Sequence, residues 1–222
     1  MKNIILLSGG LDSTLLLYYL LRDKEKTDII AVFFDYGQKS LVKEQQAAKT
    51  ITKKTGVKLI SINLTDVFRR SQSSLLKHNK KLVTEIKKYG KHTRFISKNT
   101  EVEFRNGVFL SNAISLAMQL YQNEKVTVYY GATKGRENYK DCSVIFNEYY
   151  KLLAKYASND FVDVQAPFMC MGKDEVVRIA KGLNVPIGQT WSCYGGKEKP
   201  CGICPACLDR KILGVFYDNK QR

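Results

Sequence analysis

Short, almost continuously apolar runs alternate along this chain with longer stretches whose apolar residues recur at helical spacing. Residues 3–7 (NIILL) and 29–34 (IIAVFF) have strand length, and the second is rich in β-branched and aromatic side chains. Such runs suit parallel strands buried on both faces. Residues 57–64 alternate and favour β structure, and residues 126–130 form a further strand stopped by Gly131. Between them, residues 13–21, 43–55, 105–121 and 173–182 read as helices. In the second, Ala47, Ala48 and Ile51 share one side and Gly56 marks the end. In the third, Val108, Leu110, Ala113, Ile114, Ala117 and Leu120 form the side expected to be buried.

Strands alternating with helices predict an α/β fold: an open parallel sheet with helices on both faces. Ligands in such sheets bind beyond the carboxyl ends of the strands. The segments SGGLDS, DYGQ and Gly131-Ala132 each follow a strand, so they are expected to face one crevice. Residues 67–100 break the pattern. They are rich in Lys and Ser, and Leu75, Leu76, Leu82, Val83 and Ile86 are expected in short helical pieces. The stretch is too long for an ordinary loop, and reads either as a lid over the crevice or as an insertion without that role.

Composition narrows the class. The chain has 222 residues, 44% hydrophobic and 26% charged, which suits one domain with a real core. No apolar run reaches the roughly 20 residues of a membrane helix. The apolar start is interrupted by SGGLDS, so it is not read as an export signal, and the expected location is cytoplasmic. The formal net charge of +15 has two readings, attraction to polyanions or a general lysine excess, and does not by itself establish nucleic-acid binding.

Four of the six cysteines, Cys193, Cys201, Cys204 and Cys207, lie in SCYGGKEKPCGICPACLDR. Overlapping C-x-x-C steps in a Gly/Pro-rich knuckle suit a tetrahedral zinc site better than disulfides. A set of four thiolates leaves no open position, so the expected Zn²⁺ is structural.

The other chemical feature is Ser8-Gly9-Gly10-Leu11-Asp12-Ser13, directly after the first strand. It lacks the lysine of GxxxxGK[ST] loops. Paired glycines let backbone approach phosphate, and successive N–H groups at a helix start form an anion nest. Ser8 and Ser13 add hydroxyls. Asp12 beside phosphate makes sense with Mg²⁺ between them. No Ser/His/Asp set is evident, because both histidines, His78 and His92, fall in the lysine-rich insertion.

The hexapeptide resembles the signature of the PP-loop ATP pyrophosphatases, with their adenine-nucleotide α-hydrolase-like fold. Further along come FFDYGQ, FRNGVFLSNAISLA, YGATKG with Asp141-Cys142, QAPF and TWSCYGGKEKPCGICPACLDR. In that order they resemble one branch, the 7-cyano-7-deazaguanine synthase family of the queuosine pathway. The resemblance runs from about residue 2 to 216 and weakens over 67–100. It implies a nucleotide-binding unit over residues 1–190 and a zinc-binding segment over 191–222, in an ATP-dependent ligase. The implied reaction converts 7-carboxy-7-deazaguanine and ammonia to the nitrile through adenylated intermediates.

It further implies that Leu7, Ser8, Gly9, Gly10, Leu11, Asp12, Ser13, Thr14, Leu15, Leu16 and Leu17 bind ATP, as a substrate. Asp12, Ser13, Arg105 and Lys173 are the implied catalytic set. Tyr36, Gln38, Arg105, Asn106, Gly131, Tyr139 and Asp141 are the implied acceptor contacts. From the residues alone, Arg105 is either a phosphate or carboxylate grip or a surface arginine opening a helix. Tyr36, Gln38 and Lys173 are likewise either ligand contacts or structural. The implied partners are small molecules and a second copy in a homodimer, with neither nucleic acid nor membrane. The chain departs from the family after Ala132: Tyr139, Asp141, Cys142 and Phe146 are kept, but neighbouring prolines, an arginine and a glutamate are not, and Glu103 stands where a proline is usual. A variant that stops at the amide, an enzyme activating a base in tRNA, and a non-catalytic paralogue are the alternatives.

Overall fold

The computed structural model describes residues 1–79, 83–89, 92–98, 100–122, 124–134 and 139–218. Five strands, β1 (Lys2–Leu6), β2 (Ile29–Asp35), β3 (Lys58–Asn63), β6 (Val126–Tyr129) and β7 (Val162–Gln165), form a parallel sheet in the order β3-β2-β1-β6-β7. The helices are α1 (Leu11–Leu20), α2 (Leu41–Thr55), α3 (Arg105–Leu120), α4 (Val144–Ala157), α5 (Lys173–Gly182) and α6 (Pro205–Ile212). The expected open α/β sheet is present.

Alternation along the strands divides the core. Ile4 and Leu6, Val32 and Phe34, and Val126 and Val128 point to one face, where Leu110, Ala113 and Ala117 of α3 and Ala154 of α4 cover them. Ile5 and Leu7, Ala31 and Phe33, and Tyr129 point to the other, under Leu15 to Leu17 of α1, Ile51 of α2 and Val176 of α5. A strand with apolar residues at successive positions is stable only when both its faces are dry. That is why residues 4–7 show no polar alternation, and all are buried.

Order in the sheet reverses at β1. The chain moves outward through β2 and β3, then returns to place β6 on the other side of β1. This switch point opens a crevice above the carboxyl ends of β1 and β6, where doubly wound sheets bind ligands. The glycine loop after β1 and Gly131 after β6 flank it.

Several expectations need correction. Leu120 was expected on the buried side of α3 and is 46% exposed, because it sits at the helix end beyond the sheet. Residues 67–79 hold no helix: Phe68, Leu75 and Leu76 are core residues. Here the chain turns back on the end of β2, with an antiparallel bridge between Gln38 and Leu76. Lys39 N donates to Leu75 O (2.8 Å), and Lys77 N donates to Gly37 O (2.9 Å). Val83 and Ile86 lie on β4 (Val83–Tyr89), paired antiparallel with β5 (His92–Lys98). Their three-residue spacing imitated a helix. Leu82 lies outside the described residues. Helices α4 and α6 and strand β7 are elements beyond those read from the sequence. In α4 the reason is visible, since apolar residues surround the helix and only Tyr150 and Ala154 are fully buried.

Candidate functional site

The glycine loop owes its shape to contacts that leave no room for side chains. Gly9 has φ +76°, and a Cβ there would come within 2.8 Å of Ala48 N on α2. Gly10 is the N-cap of α1 and donates its N–H to Ser8 Oγ (3.3 Å). Ser8 Oγ lies 3.1 Å from Ser13 Oγ, so both hydroxyls gather over the first turn of the helix. That turn presents N–H groups with no partner inside the helix and the positive end of its dipole. Such a cradle can receive an anion.

Asp12 stands at the rim. Lys173 Nζ, from the first turn of α5, donates to Asp12 Oδ2. Asp12 Oδ1 is buried without a hydrogen-bond partner among the described residues. A buried carboxylate oxygen left unpaired is costly, so a ligand or cation there is favoured. Leu7, Ser8, Gly10, Leu11, Asp12 and Ser13 line the crevice. Thr14, Leu15, Leu16 and Leu17 are fully buried, and the three leucines pack beneath α1 in the core.

Beside the cradle lies the turn after β2. Gln38 is 1% exposed, and its amide is used within the turn: Oε1 accepts from Tyr36 N (2.9 Å), while Nε2 donates to Phe34 O (3.2 Å) and Glu44 Oε2 (3.1 Å). Ser40 Oγ donates to the other Glu44 oxygen at 2.7 Å. Burial raises the Glu44 carboxyl above its usual range, while Ser40, Gln38 and Arg105 oppose the shift. Tyr36 carries its ring into the crevice wall, and burial pushes its phenol up to about 12, against the pull of Arg105.

Arg105 opens α3 behind Phe104, which holds a left-handed backbone conformation (φ 53°). Such strain in a bulky residue costs on the order of 1–3 kcal/mol and tends to persist where it aims a functional group. The guanidinium sits 5.6 Å from the Tyr36 ring centre and donates to Tyr36 Oη (3.4 Å). Burial works against its charge, but Tyr36, Asp141, Cys142 and Tyr194 raise its pKa above the ordinary value. It remains a cation.

Asn106 fastens the third wall. Its backbone N donates to Asp141 Oδ2 (3.0 Å), and its Nδ2 reaches Asp141 O (3.2 Å) and Cys142 Sγ (3.3 Å). Tyr139 Oη lies 2.9 Å from Thr100 Oγ1. Gly131 allows the end of β6 to press on α1, since a Cβ would meet Ser13 N at 3.1 Å. Burial raises the Cys142 thiol to about 11, which keeps it neutral.

These walls enclose a cavity of about 390 Å³, within the usual range for small-molecule sites. The structure thus brings together Ser8, Asp12, Ser13, Tyr36, Gln38, Arg105, Asn106, Gly131, Tyr139 and Lys173 on one lining. Asp141 stands just behind it as the anchor of Asn106.

The four expected cysteines converge as well. The sulfur atoms of Cys193, Cys201, Cys204 and Cys207 all lie within 4.8 Å of one another. Gly195 N (3.3 Å) and Cys201 N (3.2 Å) donate to Cys193 Sγ, and Cys204 N donates to Cys201 Sγ (3.3 Å). Hydrogen bonds from Cys204 and Cys207 and from the N–H groups of Gly195 and Cys201 hold Cys193 far below the ordinary thiol range, while donating to Cys193 raises Cys204 and Cys207. Backbone donors at Cys193 favour its thiolate, the form that binds metal. The donor set fits a structural zinc.

The family described as "Queuosine biosynthesis protein QueC" matches residues 2–213. The chain belongs to this family. It is 32% identical over 210 residues to 7-cyano-7-deazaguanine synthase of Marinomonas sp. (strain MWYL1), covering 94% of this chain and 91% of that one. Identity is 34% with the synthase of the same name from Hahella chejuensis, covering 98% and 89%. It is also 34% with that of Archaeoglobus fulgidus, covering 95% and 84%. This chain is a family member of queuosine biosynthesis over nearly its whole length.

Within this QueC family member the cavity also holds residues the sequence reading passed over. Glu44, Thr100, Phe109, Tyr130, Trp191, Ser192 and Tyr194 all line it. Tyr130 is 3% exposed, and its hydroxyl has no partner among the described residues. A tyrosine directly before Gly131 at a strand end was the available signal. Glu44 carried none, because one turn into an amphipathic helix a glutamate usually faces solvent. Among the described residues, no helix is long and apolar enough to cross a membrane.

Proposed function

We propose that the chain is an ATP-dependent C–N ligase that converts 7-carboxy-7-deazaguanine and ammonia into 7-cyano-7-deazaguanine. One observation carries this reading: the anion cradle of residues 8–13 and the Arg105 guanidinium line a single cavity of about 390 Å³. It gives a triphosphate and a planar carboxylate adjoining seats.

In this reading the N-terminus of α1, Gly10 N and the hydroxyls of Ser8 and Ser13 hold the phosphates. Asp12 fits a magnesium ion, because its unpaired buried Oδ1 adjoins the cradle. Bound there, magnesium would supply neutralisation of phosphate charge. Lys173 leans on the same carboxylate and places a second positive charge beside the phosphates. Arg105 grips the acceptor carboxylate with its planar fork. Asn106, Tyr139 and Asp141 hold the wall against which the base lies.

The carboxylate oxygen attacks the α-phosphorus of ATP and pyrophosphate leaves. Ammonia then displaces AMP from the acyl carbon, giving the amide and releasing a proton. Activation of the amide oxygen by a further ATP again releases pyrophosphate. Loss of AMP and of the amide protons leaves the nitrile. Each step needs held phosphates and excluded water more than a side-chain nucleophile.

A second copy of the chain fits α4. Ile145, Tyr149, Leu152 and Tyr156 form an exposed apolar stripe along it, 69%, 70%, 64% and 89% exposed. A stripe of this kind on a family of small-molecule enzymes supports a homodimer.

Mass spectrometry of products from 7-carboxy-7-deazaguanine, ATP, magnesium and ammonium tests the reaction. The nitrile, AMP and pyrophosphate are expected; ADP and phosphate alone would overturn the proposal, and an accumulating amide would shorten it to the first half. Binding of bulk tRNA at near-physiological salt, without binding of the free base, would replace the acceptor with a base in RNA.

A further inference from the structure

The cysteine knuckle and the phosphate loop touch through one residue. Trp191, the only tryptophan of the chain, is 2% exposed and packs with Ala47 of α2 and with Cys193, Cys204 and Cys207. Its indole Nε1 donates to Cys193 O (2.9 Å), on the knuckle. Its backbone N donates to Gly9 O (2.9 Å), in the phosphate loop.

The second bond has a consequence for the anion cradle. A trans peptide plane points its C=O and the following N–H in opposite directions. Holding Gly9 O on Trp191 therefore turns Gly10 N–H the other way, toward Ser8 Oγ at 3.3 Å. Gly9 has little freedom to respond otherwise, because it is wedged on α2, with Glu44 O 2.5 Å from where its Cβ would be. Two further ties join the knuckle to the same helix and turn. Glu198 pairs with Lys43 at 2.6 Å, and Gly196, at φ +62°, packs against the Lys39 carbonyl.

We propose that Trp191 is a positioning residue through which the metal knuckle sets the phosphate loop, so that zinc and the nucleotide each strengthen binding of the other. The inference rests on the reading of residues 8–13 as the nucleotide cradle. Held by the four gathered sulfurs, zinc would lock the knuckle and so fix the Cys193 carbonyl that receives the indole. The indole fixes the backbone of residue 191, and that backbone fixes the Gly9–Gly10 peptide. Coupling between two sites is reciprocal, so either ligand can report it.

The test is the equilibrium partition of zinc between the full-length zinc-loaded protein and a chelator of known affinity, with and without saturating magnesium-ATP. A protein-free control corrects for zinc taken up by the nucleotide. Magnesium-ATP is expected to raise zinc affinity by about fivefold or more. Trp191→Phe, which keeps an aromatic ring but loses the indole donor, is expected to keep its zinc while the coupling factor falls toward one. An unchanged zinc partition in wild-type protein that binds labelled ATP by equilibrium dialysis would overturn the inference. So would full coupling in Trp191→Phe; if that variant does not fold, the wild-type partition alone decides. Absence of ATP binding to the wild type would instead remove the nucleotide reading itself, and this inference with it.

Discussion

Lys173 and Asp12, 161 residues apart in sequence, meet as an ion pair between the first turns of two helices on the same face of the sheet. Neither is deeply buried, with side chains 26% and 24% exposed, so the pair adds little to stability by itself. Its place at the cradle gives it another use. Among the described residues Asp12 keeps one oxygen unpaired, and Lys173 holds the other.

Removing either partner should therefore separate activity from stability. Asp12→Asn is expected to abolish ATP-dependent turnover, and Lys173→Met to lower it by about 100-fold or more, the scale of a lost charge-stabilising contact. Both should melt near the wild type. Turnover assays with thermal melts check this, and wild-type kcat in Asp12→Asn would refute the cradle assignment.

Arg105 should not tolerate lysine. Arg105→Lys keeps the charge but loses the fork and the stacking on Tyr36, so the acceptor KM is expected to rise by about 10- to 100-fold. The KM for ATP should change little, since the cradle is untouched. Steady-state kinetics in each substrate separate the two, and an equal rise in both would move Arg105 to the phosphates.

The knuckle should depend on its four cysteines and on no others. Cys204→Ala is expected to lose zinc and loosen the C-terminal segment, because binding energy at a closed site is folding energy. Cys142→Ser and Cys170→Ser should retain one zinc per chain. Elemental analysis decides, and full zinc in Cys204→Ala would exclude the site.

The α4 stripe should hold the dimer. Leu152 and Tyr156 are largely exposed in the single chain, so Leu152→Glu with Tyr156→Glu should cost the monomer fold little, about 0.5 kcal/mol or less per site. In sedimentation velocity, the wild type is expected as a dimer and the double variant as a monomer. A wild type that sediments as a monomer at micromolar concentration would reject the stripe as the dimer seat.

How much was legible in the sequence follows from how local each feature is. The cysteine knuckle could be read because its ligands are separated only by short, turn-forming spacers, and the chain need only fold back on itself. The glycine loop was legible for a similar reason: a strand, paired glycines and a helix start build an anion cradle within a few residues. Long amphipathic helices such as α2 and α3 announced their buried faces by period alone. Helix α4 did not, since only Tyr150 and Ala154 are fully buried while Ile145, Tyr149, Leu152 and Tyr156 are apolar and exposed. Strand β4 did not either, because its apolar residues fall three apart.

By itself, then, the sequence determined the strand and helix alternation, the glycine loop at a helix start and the gathering of four cysteines, all of which depend on neighbours along the chain. The tertiary structure alone decided that Gln38 spends its amide inside its own turn, that Glu44 enters the cavity wall and that the Tyr130 hydroxyl has no partner among the described residues. It also decided that Trp191 joins the knuckle to Gly9. The physical reason is the winding of the sheet. Reversal of strand order at β1 brings the ends of β1, β2 and β6 to one crevice. Residues that meet there are chosen by packing across layers, and packing across layers leaves no period in the sequence.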